Sequence, residues 1–321
     1  MRIRFCFPLA LAVLCGAQTL PAPGFHHLHL NSVNPDAAIE FYTRQFPSTA
    51  RASYAGAPAL KSDSVWVLFT KVKTPPPTQP QTAIWHFGWH VVDAHKNMAE
   101  YQQRGVKLLP LYTTDEGGSV FVSSDTWPGA NGSLGRTKTE IAEAIAKGIK
   151  PTHGAGFAYL EAPDRAIIEY QGDMPAERFN HVHMFQKDPY CAELWYHQHF
   201  NVSLSAASKG AGYTEATCRM AMPERSWPSL AREGMFRMPG GVTFSDVSLS
   251  FHIQQDDRPL APTRGQLYDH IGLSVADLDA WVAKLQAEHV KFLTKTYKLG
   301  DARAVMIEGP SREALELVEV K

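Results

Sequence analysis

The sequence has no long run of charge of either sign: 31 lysine and arginine residues stand against 32 aspartate and glutamate residues among 321. A chain balanced in this way carries no electrostatic signature for binding nucleic acid or an anionic membrane surface. Neither a Gly-x-Ser-x-Gly elbow nor a His-Glu-x-x-His helix occurs, which argues against nucleophilic hydrolysis. Charged residues make up 20% and apolar residues 44%, so we expect packed globular domains rather than disorder.

The apolar run near the start is too short to span a bilayer. It covers residues 5–14, follows Arg2 and Arg4, and precedes the small residues after Cys15. This order is typical of a secretory signal peptide, which we place at residues 1–17. A lipoprotein is the weaker alternative, because a large leucine lies directly before the cysteine. We therefore expect an exported protein, periplasmic or extracellular.

Cysteine is scarce, and only Cys191 and Cys218 remain once residues 1–17 are removed. An oxidising compartment would permit a disulfide between these two residues. Two unpaired, buried thiols are an equally good interpretation, because the sequence does not supply the geometry.

What the sequence does contain is internal repetition. A first set of residues recurs 154 positions later, a second set 184 positions later, and a third set is shared by the ends of the two halves. The first set is His27, His29, Pro35, Ala38, Tyr42 and Phe46, which return as His181, His183, Pro189, Ala192, Tyr196 and Phe200. The second is His86, Gly88, Val91 and Asp93, which return as His270, Gly272, Val275 and Asp277; the third matches Pro163, Arg165 and Glu169 with Pro310, Arg312 and Glu316. The chain is therefore an internal duplication whose repeated positions include His, His and Glu.

The hydrophobic periodicity predicts four units in which a strand is followed by a helix and further strands. Two units fall in residues 24–172 and two in residues 178–321, with a hinge between them. Residues 112–151 form an insertion of mixed character in the first half. We expect an α+β chain with two domains.

Short motifs in both halves resemble those of the vicinal oxygen chelate superfamily, which includes glyoxalase I, bleomycin resistance proteins and extradiol dioxygenases. The motifs are His27-Leu28-His29-Leu30, then Phe41-Tyr42, and the turn Pro163-Asp164-Arg165-Ala166-Ile167-Ile168-Glu169. Arg165 stands where the family usually has glycine. The resemblance implies four β-α-β-β-β modules paired into two glyoxalase-like domains, each a curved mixed sheet around a cavity.

Family metal ligands, transferred by motif position, form two sets of His, His and Glu. The first set is His27, His86 and Glu169, and the second is His181, His270 and Glu316. Two neutral imidazoles and one carboxylate can hold one face of a divalent ion and leave the other face open. Such a site favours Fe(II), with Mn, Ni and Zn as alternatives. We interpret His29, His183 and His90 as residues that surround the ligands.

Extradiol dioxygenases add to this triad a proton-handling His, and a second His and a Tyr that precede the Glu ligand. His153 and Tyr159 have this order in the first half, and His252 occupies the position of the first extra His in the second half. Each half thus keeps part of the set. We take the first half as the better catalytic candidate, with His153 as acid or base and Tyr159 as a hydrogen-bond donor.

The leading hypothesis is therefore metal-dependent, dioxygenase-like cleavage of a catecholic or other vicinally oxygenated small molecule. A glyoxalase-like lyase or isomerase is the second hypothesis, although a fourth protein ligand for that chemistry is not apparent in the sequence. A third is an exported binding protein with an aromatic pocket and no chemistry. The substrate and any homo-oligomeric state stay open.

Overall fold

The computed structural model describes residues 20–113, 119–125, 138–149, 156–219, 240–254 and 258–321. The predicted signal peptide at residues 1–17 lies outside these ranges. Within them, no helix combines the length and the apolar character that crossing a bilayer requires.

Each of the four modules begins with a long strand that is followed by a helix. The first contains β1 (Gly24–Ser32), α1 (Pro35–Gln45), β2 (Ala50–Tyr54), β3 (Ala57–Ser62) and β4 (Val65–Lys71). The second contains β5 (Ile84–His90), α2 (Ala94–Gln103), β6 (Leu108–Leu109), β7 (Tyr112–Thr113), β8 (Ser119–Val120), α3 (Lys138–Ala146), β9 (Phe157–Glu161) and β10 (Ile167–Gln171). The third contains β11 (Arg178–Gln186), α4 (Pro189–Phe200), α5 (Ala206–Ala211), β12 (Gly240–Phe244) and β13 (Val247–Ile253). The fourth contains β14 (Tyr268–Val275), α6 (Leu278–Ala287), β15 (Tyr297–Leu299), β16 (Ala302–Glu308) and β17 (Ala314–Glu319).

Side-chain caps fix where three of the module helices start. Asn34 accepts a hydrogen bond from the backbone N–H of Ala37, at 3.3 Å, and begins α1. The carboxylate of Asp93 accepts from Lys96 N at 3.0 Å, and Asp277 caps α6 in the same way. Each cap satisfies a backbone donor that has no partner inside the helix, so the chain turns from strand to helix at a defined residue.

Two curved mixed sheets result, and they do not follow the order of the modules. The first and fourth modules form an eight-stranded sheet with the order β15-β16-β17-β14-β1-β4-β3-β2. The second and third modules form a seven-stranded sheet with the order β12-β13-β11-β5-β10-β9-β6. The predicted α+β fold of paired modules is confirmed. Each sheet, however, joins one module from each half of the chain.

The two sheets are held together by a shared aromatic core. Phe46, at the end of α1, stacks on Trp89 of β5 with ring centroids 4.3 Å apart. Tyr42 of the same helix lies 5.9 Å from Trp89 and 6.0 Å from Phe69 of β4. All four side chains are buried. The first module's helix therefore covers a strand of the second module, and this burial fixes the sheets relative to one another.

Cys191 of α4 and Cys218, in the turn after α5, form a disulfide. The sequence left this pairing open. The bond joins residues 27 positions apart and ties the segment after α5 to the helix of the third module.

Candidate metal centres

A glycine at the centre of the seven-stranded sheet lets an imidazole and a carboxylate from the two flanking strands meet. Gly88 of β5 faces His181 of β11 on one side and Glu169 of β10 on the other. A Cβ atom at Gly88 would overlap the His181 ring. The ring can therefore lie across the strand, toward Glu169, only because this position has no side chain.

The His86 cluster consists of His86, Glu169, His181 and His183, and all four side chains are buried. Their ligand-type atoms lie within 4.8 Å of one another. Oε2 of Glu169 is 3.1 Å from Nε2 of His86 and 3.6 Å from Nδ1 of His183, while Oε1 is 3.6 Å from Nε2 of His181. One carboxylate thus faces three imidazoles in the interior of the protein.

Burial keeps these imidazoles neutral. Loss of hydration lowers the pKa of His86 to about 3. Burial also lowers the pKa of His181 and of His183 well below the usual histidine value, and the neighbouring Glu169 carboxylate only partly opposes this. A neutral imidazole has a free lone pair, so these side chains can bind a cation at neutral pH without first releasing a proton.

The His270 cluster lies in the eight-stranded sheet and consists of His27, His270 and Glu316, with His29 beside them. Oε2 of Glu316 is 3.4 Å from Nε2 of His27 and 3.8 Å from Nε2 of His270. Ligand-type nitrogens of His27, His29 and His270 lie within 4.8 Å of one another. Gly272 has the same role here as Gly88 in the other sheet, because a Cβ atom at Gly272 would overlap the His27 ring.

The predicted grouping of the ligands was wrong, although the six residues do converge. We had combined His27 with His86 and Glu169, but His27 lies with His270 and Glu316 in the other sheet. The second predicted set fails in the same way, because His181 belongs to the His86 cluster. The reason is topological: β1 pairs with β14, and β11 pairs with β5, so each cluster takes one strand from each half of the chain.

At the two central strand junctions, a β-bulge lies directly before each of four histidines: His27, His86, His181 and His270. The strand registers shift so that one residue has no partner on the neighbouring strand, and that residue is the one directly before the histidine. The four extra residues are His26, Trp85, Asn180 and Asp269. A bulge turns two successive side chains toward one face, so each extra residue lies beside the histidine that follows it.

These extra residues give the two clusters different surroundings. Oδ1 of Asp269 is 2.6 Å from Nδ1 of His270, and Nη1 of Arg264 donates to the same oxygen at 2.7 Å. A carboxylate behind a ligand histidine fixes its tautomer and increases its basicity. Burial alone would raise the pKa of Asp269, but its hydrogen bonds with His270 and with the backbone lower that pKa to about 2, so it stays ionised.

In the His86 cluster the equivalent of Asp269 is Trp85, which offers no acceptor. Its ring lies edge-on to His86 with the centroids 4.3 Å apart. Nδ1 of His86 has no hydrogen-bond partner among the residues that the structure describes. His181, by contrast, is oriented by the side-chain oxygen of Asn180, 2.9 Å from its Nδ1. The two clusters therefore repeat the same ligand types with different support.

Both clusters fit a divalent cation. Nε2 of His27, Nε2 of His270 and Oε2 of Glu316 are buried and lack hydrogen-bond partners within the described part of the chain. The same holds for Nε2 of His181 and Nδ1 of His183. An unpaired buried polar atom costs about 1–3 kcal/mol, and a cation among these atoms would remove that cost. Imidazole and carboxylate together suit a divalent first-row transition metal.

The residues predicted to be catalytic converge on the His86 cluster rather than dividing between two sites. Tyr159 of β9 faces Glu169 in the neighbouring strand, and its ring lies 5.0 Å from the His86 ring. His252 of β13 lies 4.7 Å from the His183 ring, so our assignment of His252 to the second half's site was wrong. Its strand pairs with β11 in the seven-stranded sheet. His153 lies outside the described residues.

Each cluster adjoins a cavity. The His270 cluster opens into a cavity of about 310 Å³, whose wall includes Arg264, Tyr297 and Thr70. Tyr297 donates a hydrogen bond to Oε1 of Glu316. Near the His86 cluster, a cavity of about 430 Å³ is bordered by Trp85 and Phe185. The His270 cluster thus has space for a small organic molecule next to its ligand atoms, whereas Trp85 is the residue that contacts both the His86 ring and the neighbouring cavity.

Several residues of these centres were not predicted from the sequence. His183 lies inside the His86 cluster, whereas we had predicted a surrounding residue. Asp269, Trp85 and Asn180 were not singled out as partners of the histidines. A usable signal was present for them, since each directly precedes a repeated histidine. The strand period of two, however, places such a neighbour on the opposite face unless a bulge intervenes.

The comparisons with known proteins agree with the fold. A family model for the Glyoxalase/Bleomycin resistance protein/Dioxygenase superfamily matches residues 24–126 and 178–317, so the chain belongs to this superfamily. No curated protein matches the chain in sequence. Among solved structures, glyoxalase I from Zea mays is similar over 93% of this chain and 92% of its own, with 12% identity and a TM-score of 0.58. A Bacillus subtilis protein described as a candidate dioxygenase is similar over 94% and 86%, with 9% identity and a TM-score of 0.50. At these identities the likeness shows the fold alone.

We predict that Gly88→Ala removes the metal site of the His86 cluster and leaves that of the His270 cluster intact. The added methyl group would displace the His181 ring from Glu169. Gly272→Ala should have the reciprocal effect on His27. Elemental analysis of protein purified without chelators, with circular dichroism as a check of folding, measures both. A folded variant that keeps its full metal content would contradict the assignment.

A second prediction concerns the carboxylate behind His270. Asp269→Asn should weaken metal binding at the His270 cluster by about 10- to 100-fold, because losses of this size follow removal of such a partner. Competition with a chromogenic chelator measures the affinity. Asp279→Asn is the matched control, since Asp279 is an exposed carboxylate paired with Arg303. Equal affinities in the two variants would show that Asp269 does not support the ligand.

Proposed function

We propose that the chain is a metal-dependent dioxygenase that opens the ring of a catecholic substrate at the His86 cluster. The chain belongs to the superfamily by the family match, and its two His and Glu clusters are candidate metal sites. We propose Fe(II) as the ion held by His86, Glu169 and His181, with Mn, Ni and Zn as alternatives. When bound, such an ion would stabilise negative charge on adjacent substrate oxygens.

One observation carries this proposal: His252 and Tyr159 lie on opposite sides of one cluster. In the sequence they belong to different halves, and each half holds only some of the His and Tyr residues that extradiol dioxygenases add to the metal ligands. The pairing of β13 with β11, and of β9 with β10, brings both residues beside the same ligands. Both side chains are buried, so their polar groups act in a medium from which water is largely excluded.

Tyr159 is suited to donating a proton in a hydrogen bond. Burial, reinforced by the nearby Glu169 carboxylate, raises the pKa of the Tyr159 phenol well above its usual value. Its hydroxyl makes no well-formed hydrogen bond to a described residue. A neutral phenol held in this way can stabilise negative charge that develops on a substrate oxygen. His252, an imidazole beside His183, is placed to exchange a proton with the substrate.

The proposed reaction is balanced with molecular oxygen as the co-reactant. A carbon–carbon bond next to the diol breaks, and both atoms of O2 enter the ring-opened product. The ring is oxidised and O2 is reduced, so no separate reductant is needed. The protein supplies orientation, proton transfer and exclusion of water around the diol.

A second candidate is a glyoxalase-like lyase or isomerase, and the position of His183 favours it. That chemistry often uses a fourth protein ligand, and Nδ1 of His183 lies 3.6 Å from Oε2 of Glu169, within the same cluster. The isomerase needs no oxygen, whereas ring cleavage does.

We predict that Fe(II)-loaded protein consumes O2 in proportion to the loss of a catecholic substrate. Tyr159→Phe should lower kcat by about 100- to 1,000-fold, as loss of one charge-stabilising donor does. Glu169→Gln should abolish turnover. Tyr170→Phe is the control, because it also removes one buried tyrosine hydroxyl. Tyr170 follows Glu169 in β10, so its side chain lies on the face of the strand opposite Glu169. An oxygen electrode and spectra of the product provide the measurement.

The outcomes of this assay separate the candidates. Turnover that persists without O2 would rule out the dioxygenase and support the isomerase. Ligand binding without turnover in either atmosphere would indicate a binding protein. Equal losses in Tyr159→Phe and Tyr170→Phe would show that the effect comes from packing rather than from the donor.

We also propose that the protein is exported, which the disulfide between Cys191 and Cys218 supports, because such bonds persist mainly in oxidising compartments. Expression of the full chain in a bacterium should deliver it to the periplasm, shortened at its start and with both cysteines oxidised. Cell fractionation followed by mass spectrometry with thiol alkylation measures this. Recovery of the unshortened chain from the cytoplasm would refute export.

A further inference from the structure

The cavity beside Trp85 continues the face of the sheet that carries the His86 cluster. Glu169, Tyr159 and His183 each have a neighbour two positions along the same strand that lines this cavity. These neighbours are Ile167, Glu161 and Phe185. Alternate residues of a strand share one face, so these three residues lie on the same face of the sheet as the cluster. Trp85 contacts the His86 ring and also lines the cavity, so it links this cleft to the cluster.

The wall of this cleft is suited to a flat ring. Trp85 stacks on Phe185 with centroids 4.8 Å apart and an angle of 22° between the planes. Trp85 also contacts the His86 ring, and Tyr268 lines the same cavity. Aromatic faces of this kind bind a planar ring by stacking and by burial of apolar area.

Arg165 stands on the wall of this cavity in an unfavourable backbone conformation. Its φ is +66°, in the left-handed region that favours glycine and that side chains with a Cβ atom rarely adopt. The side chain is exposed, and its guanidinium makes no hydrogen bond or ion pair with a described residue. The other charged residue on the wall, Glu161, is paired with Lys107 at 2.9 Å. Among the described residues that line the cleft, Arg165 is therefore the one positive charge without an acidic partner.

The repeat provides an internal comparison. Arg312 occupies the equivalent position of the fourth module with a φ of +68°. Its guanidinium donates to the backbone oxygen of Leu260 at 3.3 Å, and it is not among the residues that line the cavity beside Trp85. Arg312 thus has a local partner, whereas Arg165 lines the cleft and has no such partner in the part of the chain that the structure describes.

We propose that Arg165 binds the carboxylate of an aromatic acid whose ring lies in the cleft beside Trp85. This inference rests on the proposed function for the diol end of the molecule and names the substrate class as catechols with an acidic side chain. A guanidinium matches a carboxylate with two parallel N–H donors. Backbone strain at Arg165 is the structural cost of placing this donor at the mouth of the cleft.

The test compares dihydrocaffeate with its neutral methyl ester, which has the same diol and ring. Binding to the metal-loaded protein is measured without oxygen by the quenching of tryptophan fluorescence. The wild-type protein should bind the acid about tenfold more tightly than the ester, the difference expected of one partly exposed charged contact. Arg165→Gln and Arg165→Gly should erase this preference, and Arg312→Gln should retain it. Arg165→Gly should not lower Tm, because glycine relieves the backbone strain.

Equal binding of acid and ester by the wild-type protein, or a preference that survives in Arg165→Gln, would overturn the inference. Ring cleavage is measured separately under oxygen. An acid preference that depends on Arg165, without ring cleavage, would leave this inference standing and defeat the proposed function. Ring cleavage without an acid preference would support the proposed function and overturn this inference.

Discussion

Both centres depend on one constraint: an imidazole from one strand must cross a glycine on the next strand to reach a carboxylate on the third. The antiparallel junctions of β1 with β14 and of β11 with β5 provide this geometry twice. Gly88 and Gly272 are the positions at which any larger residue would close the space. The bulges beside them then place a second side chain behind each histidine. The convergence of the candidate ligands in both centres therefore depends on two glycines at two strand junctions.

Duplication gave the two centres the same ligand types and left their surroundings free to differ. The His270 cluster has a carboxylate and a guanidinium behind one ligand, and it opens into a cavity that the same guanidinium lines. The His86 cluster has Trp85 at the equivalent position and adjoins a cleft with aromatic walls. A change of one residue at a bulge thus alters both the basicity of a ligand and the shape of the neighbouring space. Such differences allow one chain to hold two centres with different tasks.

The sequence predicted the fold well because repeated motifs and strand and helix periodicity are local signals. It also identified the six residues that converge, although their role as ligands stays a prediction. It could not predict which of them meet, because the pairing of modules is set by contacts across the whole chain. The bulges were equally hidden: a residue next to a histidine in a regular strand points away from it, so Asp269 and Trp85 gave no sign of their role. Cys191 and Cys218 showed the same limit, since their pairing depends on where α4 and the turn after α5 come together.

The nested order of the modules also determines how the chain can assemble. The seven-stranded sheet is built from residues 84–253, a contiguous stretch, whereas the eight-stranded sheet joins residues 24–71 to residues 268–319. During synthesis the inner sheet can close early, but β1 has to wait for β14, the first strand of the last module. Until then one edge of β1 has unsatisfied backbone donors and acceptors, and such an edge is a template for pairing with other chains. A product that ends before the last module would therefore keep one sheet complete and expose an aggregation-prone edge in the other.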